Sequence, residues 1–139
     1  MACPYFHPIE PRAADARSAM LPLGDLWAGM CEARPGESCR PEETAVRPLC
    51  NLGYARGQCS RFPLADPGPD AVRFTICRDE ACSLQLSYVL ERDHHPFAHG
   101  ALEYSRDTGR FTEPPPSGGA AQLGPQAEAY IASYLRRKS

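Results

Sequence analysis

Cysteine is the residue type in this chain with the most chemistry to offer. Seven occur in 139 residues, more than an ordinary domain without disulfides carries. Four of them, Cys3, Cys31, Cys50 and Cys59, follow the spacing Cys-x27-Cys-x18-Cys-x8-Cys, with Cys39 inside the second gap. The densest stretch is Cys50–Pro63, where two cysteines flank Gly53 and Gly57 and are surrounded by Tyr54, Arg56, Arg61 and Phe62. Thiolates bind soft metals and iron–sulfur clusters. Structural zinc sites pair their ligands through knuckles of two to four residues, and no such knuckle is present. Four separately delivered thiolates suit the wider [4Fe–4S] cubane better. Glycines beside the ligands would let backbone approach the sulfides. Arg47, Arg56 and Arg61 would offset the negative charge of a thiolate-bound cluster, and Tyr54 and Phe62 would limit water. The expected ligands are Cys3, Cys31, Cys50 and Cys59, with zinc as the alternative metal and Cys39 able to replace Cys3 or Cys31. Taken one at a time, each cysteine reads as a small buried hydrophobe.

In its use of widely spaced cysteines alone, the set is similar to the cluster-bearing uracil-DNA glycosylases and nucleases. Their catalytic motifs and close cysteine pairs are absent here, so no membership follows.

A second group of candidate ligands is His94, His95 and His99, with Asp93 beside them. Pro96 interrupts any shared helical face, and no recognised metal motif spans the stretch. The plainer expectation is an exposed loop in which one histidine bonds the backbone. No local signature selects a catalytic nucleophile, so the chain reads as a binding or redox protein rather than an enzyme. A small enzyme built on the histidine loop is the third reading.

The bulk properties narrow the partners. Asp and Glu number 17 against 15 Lys and Arg, so bulk charge does not indicate a nucleic-acid partner. No apolar run is long enough to cross a membrane, and the first residues lack the basic and apolar regions of a signal peptide. The expected compartment is the cytoplasm, where many thiols imply metal or redox chemistry more than disulfides. The odd cysteine count agrees. The expected partner is an unidentified protein or redox partner.

The elements that must position these residues are mostly short. Pro and Gly number 15 and 11, which implies much irregular structure. Residues 1–24 carry four prolines and read as irregular, ordered only if something such as a metal at Cys3 tethers them. Residues 25–33 read as a short helix, with Asp25 as N-cap and Trp27 and Cys31 on one side. Residues 34–40 form a loop. Pro41 opens a helical turn with Glu42 and Glu43, Pro48 ends or kinks it, and a turn bearing Cys50 stops at Gly53. Residues 63–70 are a linker.

Beyond the linker, residues 71–77 and 82–90 alternate as two strands joined by a turn at 78–81. Parity turns Cys77 outward and Cys82 inward, barring a bulge. Residues 92–100 form the histidine loop, and 101–105 and 110–113 are two further strands about a turn at Gly109. Residues 114–119 are a spacer. Residues 125–138 form an amphipathic helix, with Ala127, Tyr130, Ile131, Tyr134 and Leu135 on one stripe and Arg136, Arg137 and Lys138 at its negative end. The whole reads as a single α+β domain over residues 1–139. A loop-rich, cysteine-bearing half (1–63) packs against a small antiparallel sheet and a C-terminal helix (71–139).

Overall fold

A computed structural model describes residues 1–12, 21–34, 36–115 and 120–138. Positions 13–20 of the expected irregular lead, Pro35 of the loop, and 116–119 of the spacer lie outside the described residues. The fold is α+β, with two antiparallel sheets and a C-terminal helix. The larger sheet has the order β3 (Ala71–Asp79), β4 (Ser83–Arg92), β5 (His95–Ser105), β6 (Arg110–Phe111). Each strand pairs with its sequence neighbour, the simplest solution for a chain with tight turns between alternating segments. One face carries Val72, Phe74, Leu84, Leu86, Leu90 and Leu102, all buried. The alternation that made these strands visible in the sequence is the alternation of burial.

The N-terminal half departs from expectation. Residues 27–31 are not helical. Trp27–Cys31 is strand β2, paired antiparallel with β1 (Phe6–Pro11). Gly29 shows why this segment is a strand. A Cβ at Gly29 would meet the carbonyl oxygen of His7 at 2.0 Å, so the residue is there to let two backbones close, and glycine disfavours a helix. Trp27 and Cys31 still share a side, because four residues along a strand restore the same face. The prolines of β1 are tolerated because β1 has only one partner, so a missing N–H can face away from the ladder.

The next segment is a single helical turn, α1 (Glu43–Ala45), running directly into a π-helical turn, Val46–Asn51. Pro48 neither ends nor interrupts it, because the wider turn absorbs the residue that an α-helical ladder would reject. The turn stops at Gly53, whose φ is +76° and whose N–H donates to the Leu49 carbonyl at 2.8 Å.

Two further corrections fall in the sheet. Cys82 is exposed rather than inward, because the turn after β3 extends through it and β4 begins only at Ser83. The histidine loop is not a loop. β4 and β5 run to Arg92 and from His95, which pair with each other across Asp93 and His94. Those two residues have φ of +52° and +62°, the signature of a type I′ hairpin turn. Pro96 is accommodated where the register shifts and leaves Phe97 unopposed, a bulge position that tolerates a missing donor.

The last helix, α2 (Leu123–Lys138), buries Leu123, Gln126, Ala127 and Ile131. It packs against β1 and against β3. One hydrophobic core joins Ala2, Cys3, Phe6 and Trp27 to Val72, Leu86, Ala127 and Ile131, so the cysteine-bearing half and the sheet share an interior.

Candidate thiol site

The four cysteines singled out by their spacing come from four separate places in the chain and meet at one pocket. Its wall is Cys3, Cys31, Cys50 and Cys59 with Tyr5, Phe6, Ala33, Leu49, Ala55 and Phe62. Cys3 is buried, and Cys31, Cys50 and Cys59 are half-buried.

Each thiol is delivered by a different device. Cys3 is placed by backbone alone: its N–H donates to the Cys50 carbonyl at 3.1 Å, and its carbonyl accepts from Phe6 N–H at 3.1 Å. Ala2 beside it makes a reciprocal pair with Val72 of β3, at 2.7 and 2.8 Å. Gly53 admits this segment, since a Cβ there would meet the Met1 carbonyl oxygen at 2.4 Å. The expectation that this glycine brings backbone to a cluster is therefore corrected: it brings backbone to the N-terminal segment. Cys31 ends β2. Cys50 rides the π-helical turn, which Asn51 fastens to β2. The Asn51 side chain accepts from Trp27 N–H at 3.0 Å and donates to the carbonyls of Trp27 and Val46 at 3.0 and 2.8 Å. Cys59 sits in a tight turn, its N–H bonded to the Ala55 carbonyl at 2.7 Å and its carbonyl to Phe62 N–H at 3.1 Å.

From the far side, Gln126 of α2 donates to the carbonyls of Cys3 and Phe6, at 2.7 and 2.8 Å, in a fully buried setting. Neither Asn51 nor Gln126 was among the expected site residues. Gln126 carried a signal, a polar side chain three positions after Leu123 on a buried stripe. Asn51 carried none beyond its place next to Cys50.

The flanking residues divide. Phe62 lines the pocket and meets Tyr5 edge-on, with ring centroids 5.2 Å apart. Arg61 lies beside the thiols. Contact with Cys31 is the main cause of its raised guanidinium pKa, with Cys39 adding to it. One terminal nitrogen donates to the Glu37 carbonyl at 3.2 Å, while Nε is buried with no hydrogen-bond partner among the described residues. Arg47 is exposed. Arg56 and Tyr54 are not turned to the thiols. Arg56 pairs with Asp70 at 2.6 Å, donates to the carbonyls of Pro63, Leu64 and Gly68, and lies 4.8 Å over the Phe62 ring. It is the clamp of the 63–70 segment, because a guanidinium with five donors can satisfy several carbonyls at once. Tyr54 donates to Glu91 at 2.6 Å, accepts from His94 N–H at 3.1 Å and stacks on the His94 ring at 4.2 Å.

This accounts for the histidines. His94 holds the hairpin turn, and His95 and His99 are exposed on β5. Among the described residues, no group of three or more His, Cys, Asp or Glu is arranged to hold a metal ion. The histidine reading has no gathered site, and the four thiols as they stand do not close on a single ion.

Electrostatically the thiols crowd one another. The Cys3 thiol is pushed well above its ordinary value, first by burial and then by Cys50, Cys31 and Cys59. Cys50 is pushed up to about 12 by burial, then by Cys31, Cys59 and Cys39. Both therefore stay protonated unless a positive centre joins them, and a metal centre that binds thiolates must release those protons.

The donor set fits a thiolate-bound cluster in three respects: four sulfurs, an apolar wall, and an arginine N–H that has no acceptor among the described residues and lies beside one of the thiols. The free space in this half-open pocket is about 20 Å³, room for one water. A larger group fits only if the pocket widens. Comparison with family models, curated proteins and solved structures finds no match for this chain.

Proposed function

We propose that the protein binds a [4Fe–4S] cluster through Cys3, Cys31, Cys50 and Cys59 and serves in electron transfer, redox sensing or cluster-stabilised partner binding. The observation that carries this is the convergence of all four thiols, from four separate segments, on one apolar pocket. A cluster would supply one-electron chemistry at a potential set by charge, hydrogen bonds to sulfur and solvent exposure. The chain's own contributions are the ligands, the aromatic lid of Tyr5 and Phe62, and Arg61, whose spare Nε–H supports a role as donor to sulfur.

A second reading has an observation in its favour. A free space of only about 20 Å³ suits thiols that pack as small apolar side chains in a metal-free interaction module. Zinc fits less well than either, since no three donors are grouped for one ion among the described residues.

The deciding experiment is oxygen-free purification followed by a visible spectrum and iron, sulfide and zinc analysis of one sample. The cluster reading expects a brown protein with near-equal iron and acid-labile sulfide, lost in each of the four single Cys→Ala variants. A colourless, folded, metal-free protein after reconstitution with iron and sulfide would establish the second reading. Stoichiometric zinc would keep the ligand set and remove the redox role.

A further inference from the structure

Cys39 does not line the thiol pocket, yet it is held against one of the residues that do. Cys31 and Cys39 form an isolated antiparallel bridge. The Cys31 N–H donates to the Cys39 carbonyl at 2.7 Å, and the Cys39 N–H donates back to the Cys31 carbonyl at 3.2 Å. In such a reciprocally bonded pair the Cα atoms stand ≈ 5.5 Å apart, and directly opposed side chains lie on the same face. A disulfide needs Cα atoms about 4.4–6.8 Å apart, most often near 5.5–6 Å. The backbone thus already holds the two Cα atoms within the range a disulfide spans, and rotation of the two side chains has to close the rest. Both are half-buried, so a small oxidant can reach them. Arg61 places a positive charge beside both.

We propose that Cys31 and Cys39 are a dithiol–disulfide couple, and that oxidation withdraws Cys31 from the thiol pocket. The second clause rests on the cluster-binding reading; the couple itself does not. Hydrogen peroxide is a sufficient oxidant. The Cys31 sulfur attacks one peroxide oxygen, the O–O bond breaks, hydroxide leaves and Cys31 becomes a sulfenic acid. The Cys39 sulfur then attacks that sulfur, the S–O bond breaks, the S–S bond forms and a second hydroxide leaves. The two thiol protons convert both hydroxides to water, so two thiols lose two electrons and one peroxide gains them. The disulfide occupies the Cys31 sulfur, which then has no thiolate to offer a metal. Cys39 thereby gains a role as the thiol that removes a ligand, in place of the substitute ligand its spacing suggested.

The test uses the full chain, metal-free and reduced, exposed to hydrogen peroxide. Remaining thiols are alkylated and peptides are mapped without reduction. The expected product has one internal crosslink, Cys31 to Cys39, with five of the seven cysteines still alkylated. A map dominated by other pairs, or oxidation confined to the exposed Cys77 and Cys82, overturns the couple. The wild-type map decides this without any variant; Cys39→Ser then serves as the control that abolishes the crosslink.

Reduced, oxidised and re-reduced protein are next offered iron and sulfide under argon. Uptake at least tenfold lower in the oxidised sample, restored on re-reduction, supports withdrawal of Cys31. Equal uptake by all three, with cluster present, overturns that withdrawal. A crosslink that forms in a protein taking up no cluster in any state sinks the cluster reading and leaves the couple standing.

Discussion

Gln126 is a buried polar residue with an uneven balance. Its Nε2 satisfies two carbonyls, those of Cys3 and Phe6, while its Oε1 is buried without a partner among the described residues. Two donors to different carbonyls also fix which end of the amide faces them. Gln126→Met keeps the volume and removes both donors; the Cys3 carbonyl keeps the Phe6 N–H, so the loss falls chiefly on the Phe6 carbonyl, roughly 1–3 kcal/mol for a buried acceptor left alone. Removing the orphaned oxygen offsets part of it. The expected outcome is destabilisation of about 1–2 kcal/mol in urea unfolding, together with faster amide exchange at residues 3–6. An unchanged midpoint would mean that the backbone bonds of Cys3 hold that segment unaided. Tyr54 offers a second test at this scale. Burial, and then its bond to Glu91, push its phenol up to about 12 from an ordinary 10.0. The neutral form is therefore the one the fold favours. Its contribution is present below pH 10 and is lost as pH rises toward 12. Tyr54→Phe removes the bond, costs about 1 kcal/mol at neutral pH, and flattens the alkaline loss seen in the wild type. A variant with the same alkaline slope would assign that slope to other tyrosines.

At the scale of elements, the two-stranded sheet β1–β2 depends on one close approach. Gly29 faces the His7 carbonyl so tightly that a Cβ would lie 2.0 Å from the oxygen, with His7 C and Pro8 Cα at 2.9 Å. These are backbone atoms and cannot turn aside. Gly29→Ala must separate the strands, with a loss of about 1–3 kcal/mol or more by overpacking. Because Cys31 ends β2, the proposed cluster binding carries a second expectation, that the same variant loses iron uptake while circular dichroism of the four-stranded sheet persists; intact uptake would show that β2 does not set the position of Cys31. This element also marks the limit of what the sequence revealed. The strands from 71 onward were legible because each one alternates within itself. β2 was not, because its five residues pair with a partner fifteen or more positions away, and local signals such as Asp25 before Leu26 and Trp27 mimicked a capped helix. That Cys3, Cys31, Cys50 and Cys59 meet at one pocket was legible from residue type and spacing, whereas what they hold there was not. Arg56 and Tyr54 were misplaced because proximity in sequence to Cys50 and Cys59 says nothing of which way a side chain turns. Both were claimed instead by Asp70 and by the 93–94 turn, contacts between residues far apart in the chain.

For the whole molecule, the question is what joins the cysteine-bearing half to the rest. α2 does much of it, through Gln126 on the Cys3 segment, Ser133 accepting from the Trp27 indole N–H at 3.2 Å, and a charged clamp on Asp25. Asp25, two residues before β2, is fully buried, and both Arg136 and Arg137 of α2 reach it. The basic end of α2 is thus more than a complement to the helix dipole. Burial works against the carboxylate, but the bonds from Arg136, Ser133 and Arg137 outweigh it, and its pKa lies below the ordinary 3.8. A carboxylate lowered on folding stabilises above its unfolded pKa and loses that contribution as pH falls through its folded value. Arg136 is 46% exposed and Arg137 29%, so water screens part of the attraction. Asp25→Asn is expected to cost roughly 1–3 kcal/mol at neutral pH, where it leaves the charged donors without their counterion. The decisive readout is the shape of the difference. Urea midpoints of wild type and Asp25→Asn, measured from about pH 7 downward, are expected to run parallel to near pH 4 and then converge, because acid makes the wild-type carboxyl as neutral as the amide. Asp70 is lowered in the same way by Arg56 and the Asp93 N–H, against its own burial, and is present in both proteins, so it steepens both curves without closing the gap between them. Curves that stay parallel through the acid range would mean that Asp25 acts by shape and neutral hydrogen bonding, and that charge is not what fastens the helix to the thiol-bearing half.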